Sequence, residues 1–172
     1  MNKFPLTKKE IIDYFNKQKK IISSSEIIDL RNSNGRILAE DLKSQINLPP
    51  FNNSAVDGYA LIKKDLNLKK IFSCSRRVAA GDNKKIIIKS GEAVRVFTGA
   101  KMPSNSSTVV MQENVIMEGK KIRLLKTPHY GENYRLKGED IKKNKKILLK
   151  GTRINQQNLN LIAAAGIRKI KV

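Results

Sequence analysis

Between residues 51 and 140, short β-prone runs alternate with turn residues, and segments of helical pattern bracket this stretch on both sides. No other feature limits the fold as much. The runs 60–62, 71–73, 85–88, 93–98, 108–112 and 121–125 are too short for helices and fit strands. Asp57-Gly58, Gly81-Asp82-Asn83 and Glu118-Gly119 separate them, each a pairing suited to tight turns. Strands at this spacing predict a small barrel or sandwich. Leu48-Pro49-Pro50 cuts it off from what precedes, because proline lacks an amide donor and restricts its neighbour.

The flanks read differently. Residues 7–22 place Ile11, Ile12, Phe15 and Lys19 at helical spacing, with Thr7 and Glu10 as a capping box. Turn-prone serines follow, then a short apolar run (Ile27, Ile28, Leu30), a helix-like turn around 35–40 and a further extended stretch. After Gly138 come a strand-like segment at 145–151, a helix at 155–165 closed by Gly166, and an alternating terminal strand. No partner for that last strand lies next to it, so the chain reads as cut. The predicted architecture is α+β, mainly β. An elongated helix-containing domain is built from both chain ends (1–47 plus 141–172), with a small β-barrel-like domain (48–140) inserted.

The chain has 172 residues, 40% of them hydrophobic, which supports a packed core and excludes general disorder. Thirty-five Lys and Arg oppose 15 Asp and Glu, a net charge of +20. That surplus raises a nucleic-acid hypothesis. It is mostly lysine, however, spread along the chain, with its densest runs at 17–20, 63–70 and 142–150 and no interleaved aromatics. The expectation is a solvated basic surface that steers small anions, not a nucleic-acid binder. No segment approaches the roughly 18 apolar residues a membrane span needs, and the charged start lacks a signal peptide's apolar core. A cytoplasmic protein is expected. Cys74 is the single cysteine, which excludes a disulfide framework and a cysteine zinc site within the chain. His129 is the single histidine, and no GxSxG accompanies it.

Three clusters combine glycine, small polar residues and a carboxylate. In residues 48–61, Asn52, Asn53 and Ser54 lead to Asp57 beside Gly58. In 94–103, a strand runs into Thr98-Gly99-Ala100, and the strand after it ends at Glu113. In 131–141, Arg135 and Lys137 lie among Glu132, Glu139 and Asp140, a mixture suited to a phosphate with its metal. Taken singly, each also fits an ordinary turn, strand exit or charged surface loop.

In this order the clusters resemble the N-terminal part of the molybdopterin molybdenumtransferases, the MoeA and gephyrin E-domain type. The resemblance rests on GRILAED at 35–41, LPPFNNSAVDGYA at 48–60, FTGAKMP at 97–103, VVMQENV at 109–115, GENYRLKGEDI at 131–141 and the closing GTRINQQNLNLIAAAGIRKIKV. Family members usually carry Asp at the position of Asn52 and Met at that of Val56. The resemblance implies an enzyme inserting molybdate into adenylylated molybdopterin, a small anionic substrate, with Mg²⁺ and release of AMP. It implies a homodimer whose cleft is completed by a pterin-binding α/β domain, supplied in cis or in trans and absent from these residues. It implies catalytic roles for Asp57, Thr98 and Asp140, with Asp57 and Asp140 as metal ligands. Ser54, Gly99, Glu113, Arg135 and Lys137 would contact substrate. This chain alone is expected to be inactive. The alternatives are a naturally short interaction or dimerisation module of a split enzyme and, further off, a basic nucleic-acid binder.

Overall fold

The computed structural model describes residues 6–18, 24–83 and 85–172. Helix α1 (Lys8–Lys17) starts where the sequence placed it. Thr7 Oγ1 accepts the Glu10 amide at 3.3 Å and Glu10 Oε2 accepts the Thr7 amide at 2.7 Å, satisfying two otherwise orphaned donors. Lys19, expected on the same helix, lies outside the described residues.

Strands β1 (Ile27–Asp29) and β2 (Leu42–Lys43) precede the central region. There, β3 (Asn53–Ser54), β4 (Gly58–Leu61), β5 (Ile71–Val78), β6 (Glu92–Val96), β7 (Thr108–Met111), β8 (Val115–Glu118), β9 (Lys121–Leu124) and β10 (Tyr134–Arg135) follow in order. β11 (Lys146–Leu148), helix α2 (Gln156–Ala164) and β12 (Lys169–Lys171) close the chain. The fold is mainly β with two helices. Among the described residues, no helix is long and apolar enough to cross a membrane.

The chain ends are joined by pairing. β1 is antiparallel to β12 and β2 to β11, so the terminal strand has its partner near the start of the chain, at Ile27↔Lys171 and Asp29↔Lys169. Leu38, Leu42, Ile154, Ile162, Ala165, Ile167 and Ile170 form one apolar core contributed by both ends. Helix α2 lies within the predicted span and is capped by Asn155, and Gly166 follows it, as the sequence predicts, at φ +81°. The helix-like turn expected at 35–40 is absent. Ile37 bridges Arg153 and the Leu38 amide donates to the Thr152 carbonyl at 3.0 Å, so long-range pairing takes the backbone groups a helix would have used.

The central region holds a six-stranded sheet in the order β7-β4-β6-β5-β9-β8, with only β5 and β6 parallel. Its alternation is two-sided. Ala60, Val94, Val96 and Val109 pack on one face, while Tyr59, Leu61, Ala93 and Val110 pack on the other. That is why all four residues of β4 are buried. Three expectations change. Residues 85–88 form no strand, because the Asn105 side chain accepts the Ile88 amide at 2.8 Å and donates to its carbonyl at 2.5 Å, replacing a strand partner. The run expected at 71–73 continues to Val78 through a bulge. β8 forms a hairpin with β9 across Gly119 at φ +61°.

The most consequential change concerns Asp57-Gly58. Gly58 is not a turn residue with positive φ. It opens the central strand β4, and a Cβ there would meet the Val110 carbonyl oxygen at 2.1 Å. Glycine is needed for close backbone approach, which leaves Asp57 fixed at the end of a buried strand.

Candidate functional site

Strand β3 is the junction of the three motif blocks. Its Ser54 amide donates to the Ala100 carbonyl at 3.0 Å, and its carbonyl accepts the Gly99 amide at 2.9 Å. On the other side, Ser54 pairs with Tyr134 and Asn53 with Arg135. Ser54 is buried, and its hydroxyl donates to the Val56 carbonyl at 2.5 Å, turning the chain towards Asp57. The segment 52–58 thus has the Thr98-Gly99-Ala100 turn on one flank and the 133–140 loop on the other.

Asp57 and Thr98 form a pair. Asp57 Oδ1 accepts both the Thr98 amide and the Thr98 hydroxyl at 2.8 Å. The amide bond is the main cause holding the Asp57 carboxyl below its usual range, with the hydroxyl next and the Arg95 charge adding to both. Asp57 is therefore an oriented, ionised carboxylate. The Thr98 hydroxyl proton points at Asp57, so the hydroxyl positions that group and cannot also donate to an oxyanion. Gly99 is at φ +78° with nothing within 4 Å of a Cβ, an open turn beside the carboxylate.

The third block forms its own charged unit. Arg135 donates through Nη2 to Asp140 at 2.8 and 2.9 Å and through Nε to Glu139 at 2.5 Å. Both carboxylates favour the charged guanidinium, Glu139 more strongly. The Lys137 amide donates to Asn52 Oδ1 at 2.7 Å, and Asn52 Nδ2 donates to the Tyr134 hydroxyl at 2.8 Å. Both contacts tie this loop to the segment before Asp57. Glu113 lies on the exposed turn after β7, where Gln112 Nε2 donates to it at 3.2 Å. The Gln112 amide donates to the Asp57 carbonyl at 3.1 Å, so Glu113 belongs to the same neighbourhood.

The donor set decides what metal chemistry fits. No group of three or more His, Cys, Asp or Glu able to hold a metal occurs among the described residues. A magnesium ion held by one carboxylate and substrate phosphate oxygens suits Asp57, whose Oδ1 alone is engaged. Asp140 fits less well, since both its oxygens accept from Arg135.

One contributor was not singled out from sequence. Arg95 donates to Gln112 Oε1 and its charge acts on Asp57. Only its place in the V-R-V alternation marked it, as an outward residue. Asn53 Oδ1 is buried beside the junction without a hydrogen-bond partner.

Known proteins share this sequence and fold. The family described as MoeA N-terminal region (domain I and II) matches residues 6–166. A putative molybdopterin biosynthesis protein of Methanocaldococcus jannaschii is 38% identical over 164 residues, covering 95% of this chain and 39% of that protein. A molybdopterin molybdenumtransferase of Nostoc sp. is 37% identical, over 86% of this chain and 35% of its own length. The crystal structure of a molybdopterin biosynthesis moeA protein from Pyrococcus horikoshii superposes with a TM-score of 0.81 at 36% identity, over 88% of this chain and 41% of that one. The chain thus spans about two fifths of the length of such relatives. By the match over residues 6–166, the chain belongs to the family of MoeA N-terminal regions.

Proposed function

We propose that this chain is the N-terminal portion of a cytoplasmic molybdopterin molybdenumtransferase, which inserts molybdate into adenylylated molybdopterin and releases AMP. The observation that carries the reading is the Asp57–Thr98 pair, held at 2.8 Å by two donors at a junction that also gathers the 133–140 loop. In this reading residues 48–140 form one unit and the two chain ends another. The enzyme is a homodimer, and its cleft is completed by a pterin-binding α/β domain outside these residues.

The roles follow from the contacts. Asp57 presents its second carboxylate oxygen to a magnesium ion or to water. Thr98 and the buried Ser54 are positioning residues that fix Asp57 and the adjoining turn, and Gly99 keeps that turn open. Arg135 and Lys137 supply positive charge to an anionic substrate, with Asp140 and Glu139 holding the Arg135 fork in place. Magnesium, when bound, supplies charge that draws the oxygens of the phosphoanhydride. Glu113 lies at the rim, where it meets the substrate's outer part.

The test uses AMP release from adenylylated molybdopterin with molybdate and Mg²⁺. This chain alone should give none above background. Adding the α/β portion of a family enzyme should restore release, and D57N should abolish what is restored. Release by the chain alone, or undiminished release with D57N, would refute the proposal.

A further inference from the structure

We propose a second anion site, a groove on the face of the central sheet where Arg77, Arg95 and Lys120 converge, that takes a compact tetrahedral oxyanion of the phosphate type. Strand register carries the inference. Tyr59 lies opposite Arg95 across β4 and β6, and Arg95 lies opposite Arg77 across β6 and β5. The three side chains therefore form one row on one face, across three adjacent strands.

Two guanidinium groups in directly opposed positions repel, and cross-strand pairs of like charge destabilise a sheet. Nothing on this face relieves them fully. Arg76, which also lines the groove, donates to the Ile87 carbonyl at 3.0 Å and to Glu92 at 2.6 Å, so that carboxylate is already engaged. Among the described residues Arg77 is in no ion pair and is exposed. Lys120 joins from the β8–β9 turn, where its carbonyl accepts the Cys74 amide at 2.7 Å. The resulting groove is about 490 Å³, and no carboxylate lines it.

Arg95 is preorganised. Its guanidinium packs 4.9 Å from the Tyr59 ring and 5.1 Å from the Phe97 ring, and it donates to Gln112 Oε1. Its charge also acts on Asp57, one of whose carboxylate oxygens is held by Thr98. Cys74 lines the groove as a neutral thiol, because burial pushes its pKa up. Arg77 and Arg95 hold opposed positions on adjacent strands about 4.8 Å apart, and with Lys120 they line one groove, which offers their combined positive charge to a small anion. A flat basic stripe for a nucleic-acid duplex would need a longer track of cations. The site does not depend on the enzymatic reading above, and its test measures binding alone.

The experiment is an amide NMR titration of the intact chain with inorganic phosphate and, separately, with glycerol 3-phosphate. Saturating shifts are expected at Ser75, Arg77 and Lys120. R77Q and R95Q should each weaken binding about tenfold, the loss of a charge-assisted contact. K120Q, in a turn, gives a third reading if a strand variant folds poorly. K150Q removes the same charge elsewhere and should change affinity by less than about twofold. Saturation by phosphate alone would assign a free anion, and saturation by both a phosphomonoester. Shifts spread over the whole basic surface, no saturation, or an equal loss in K150Q would overturn the site.

Discussion

Replacing Gly58 by alanine tests whether the DG dipeptide is a turn or a point of close backbone approach. The added methyl would lie 2.1 Å from the Val110 carbonyl oxygen, 2.8 Å from Val109 Cγ1 and 2.9 Å from the Val110 carbonyl carbon. An ordinary contact begins at 3.4 Å, so β4 and β7 must separate by more than about 1 Å, beyond what a backbone hydrogen bond tolerates. β4 cannot simply slide away, since β6 flanks it and apolar clusters cover both faces. Overpacking of this kind costs about 1–3 kcal/mol, and two weakened ladder bonds add about 1 kcal/mol each. The total is about 3–5 kcal/mol, a large fraction of the stability of a small domain. With a urea slope of about 2 kcal/mol/M, the unfolding midpoint should fall by about 2 M. The comparison is Gly99→Ala, where φ is +78° and no atom lies within 4 Å, so only backbone strain of about 1–2 kcal/mol applies. If Gly58 were an unhindered position at ordinary φ, alanine would stabilise by about 0.4–1 kcal/mol through the unfolded state. A G58A midpoint at or above the parent's, or a smaller loss than in G99A, would refute the steric argument.

Thr98→Ala removes the hydroxyl donor but keeps the amide, so the Asp57 pKa should rise yet remain below the usual carboxylate range; a carboxyl-carbon NMR titration showing no rise would contradict the pairing. Asp29 is held down to about 2, chiefly by hydrogen bonds from the Arg31 side chain and amide. Its contribution is present above the unfolded carboxylate value near ~3.9 and is lost as pH falls towards 2. D29N should therefore flatten stability against pH in that window in a urea series, and an unchanged acid slope would rule this out. Asn105→Leu leaves the amide and carbonyl of the buried Ile88 unpaired, costing about 2 kcal/mol by thermal melt, whereas a loss below about 0.5 kcal/mol would mean solvent replaces the side chain.

Legibility followed the range of the interactions. The cap at Thr7, the helix closed by Gly166 and the alternation through 93–96 were readable because their signals lie within a few residues. The segment 85–88 has the same β-prone composition, yet its backbone bonds go to a side chain 17 residues away, so periodicity gave the wrong element. The turn expected at 35–40 failed for the same reason, its carbonyls and amides being taken by residues 151–154. At the site, spacing supplied only candidate turns, and the motif blocks supplied the residues. Neither showed that Thr98 serves Asp57, because that bond spans 41 positions and depends on β4 and β6 being neighbours.

The same neighbourhood explains why glycine and carboxylate stand together at Asp57-Gly58. A carboxylate that must hold a fixed direction needs a backbone that cannot move. Gly58 gives β4 its close approach to β7, and the strand it opens is covered on both faces. The Gly58 pairing with Val96 then brings the end of β6 alongside, and the chain two residues on delivers the Thr98 amide to Asp57. The rigidity of the acid thus comes from packing on the strand beside it, and the polar contacts only set its final direction. Loosening β4 should accordingly raise the Asp57 pKa even with Thr98 intact. In G58A populations that remain folded, a carboxyl titration at Asp57 identical to the parent's would separate the two and refute this coupling.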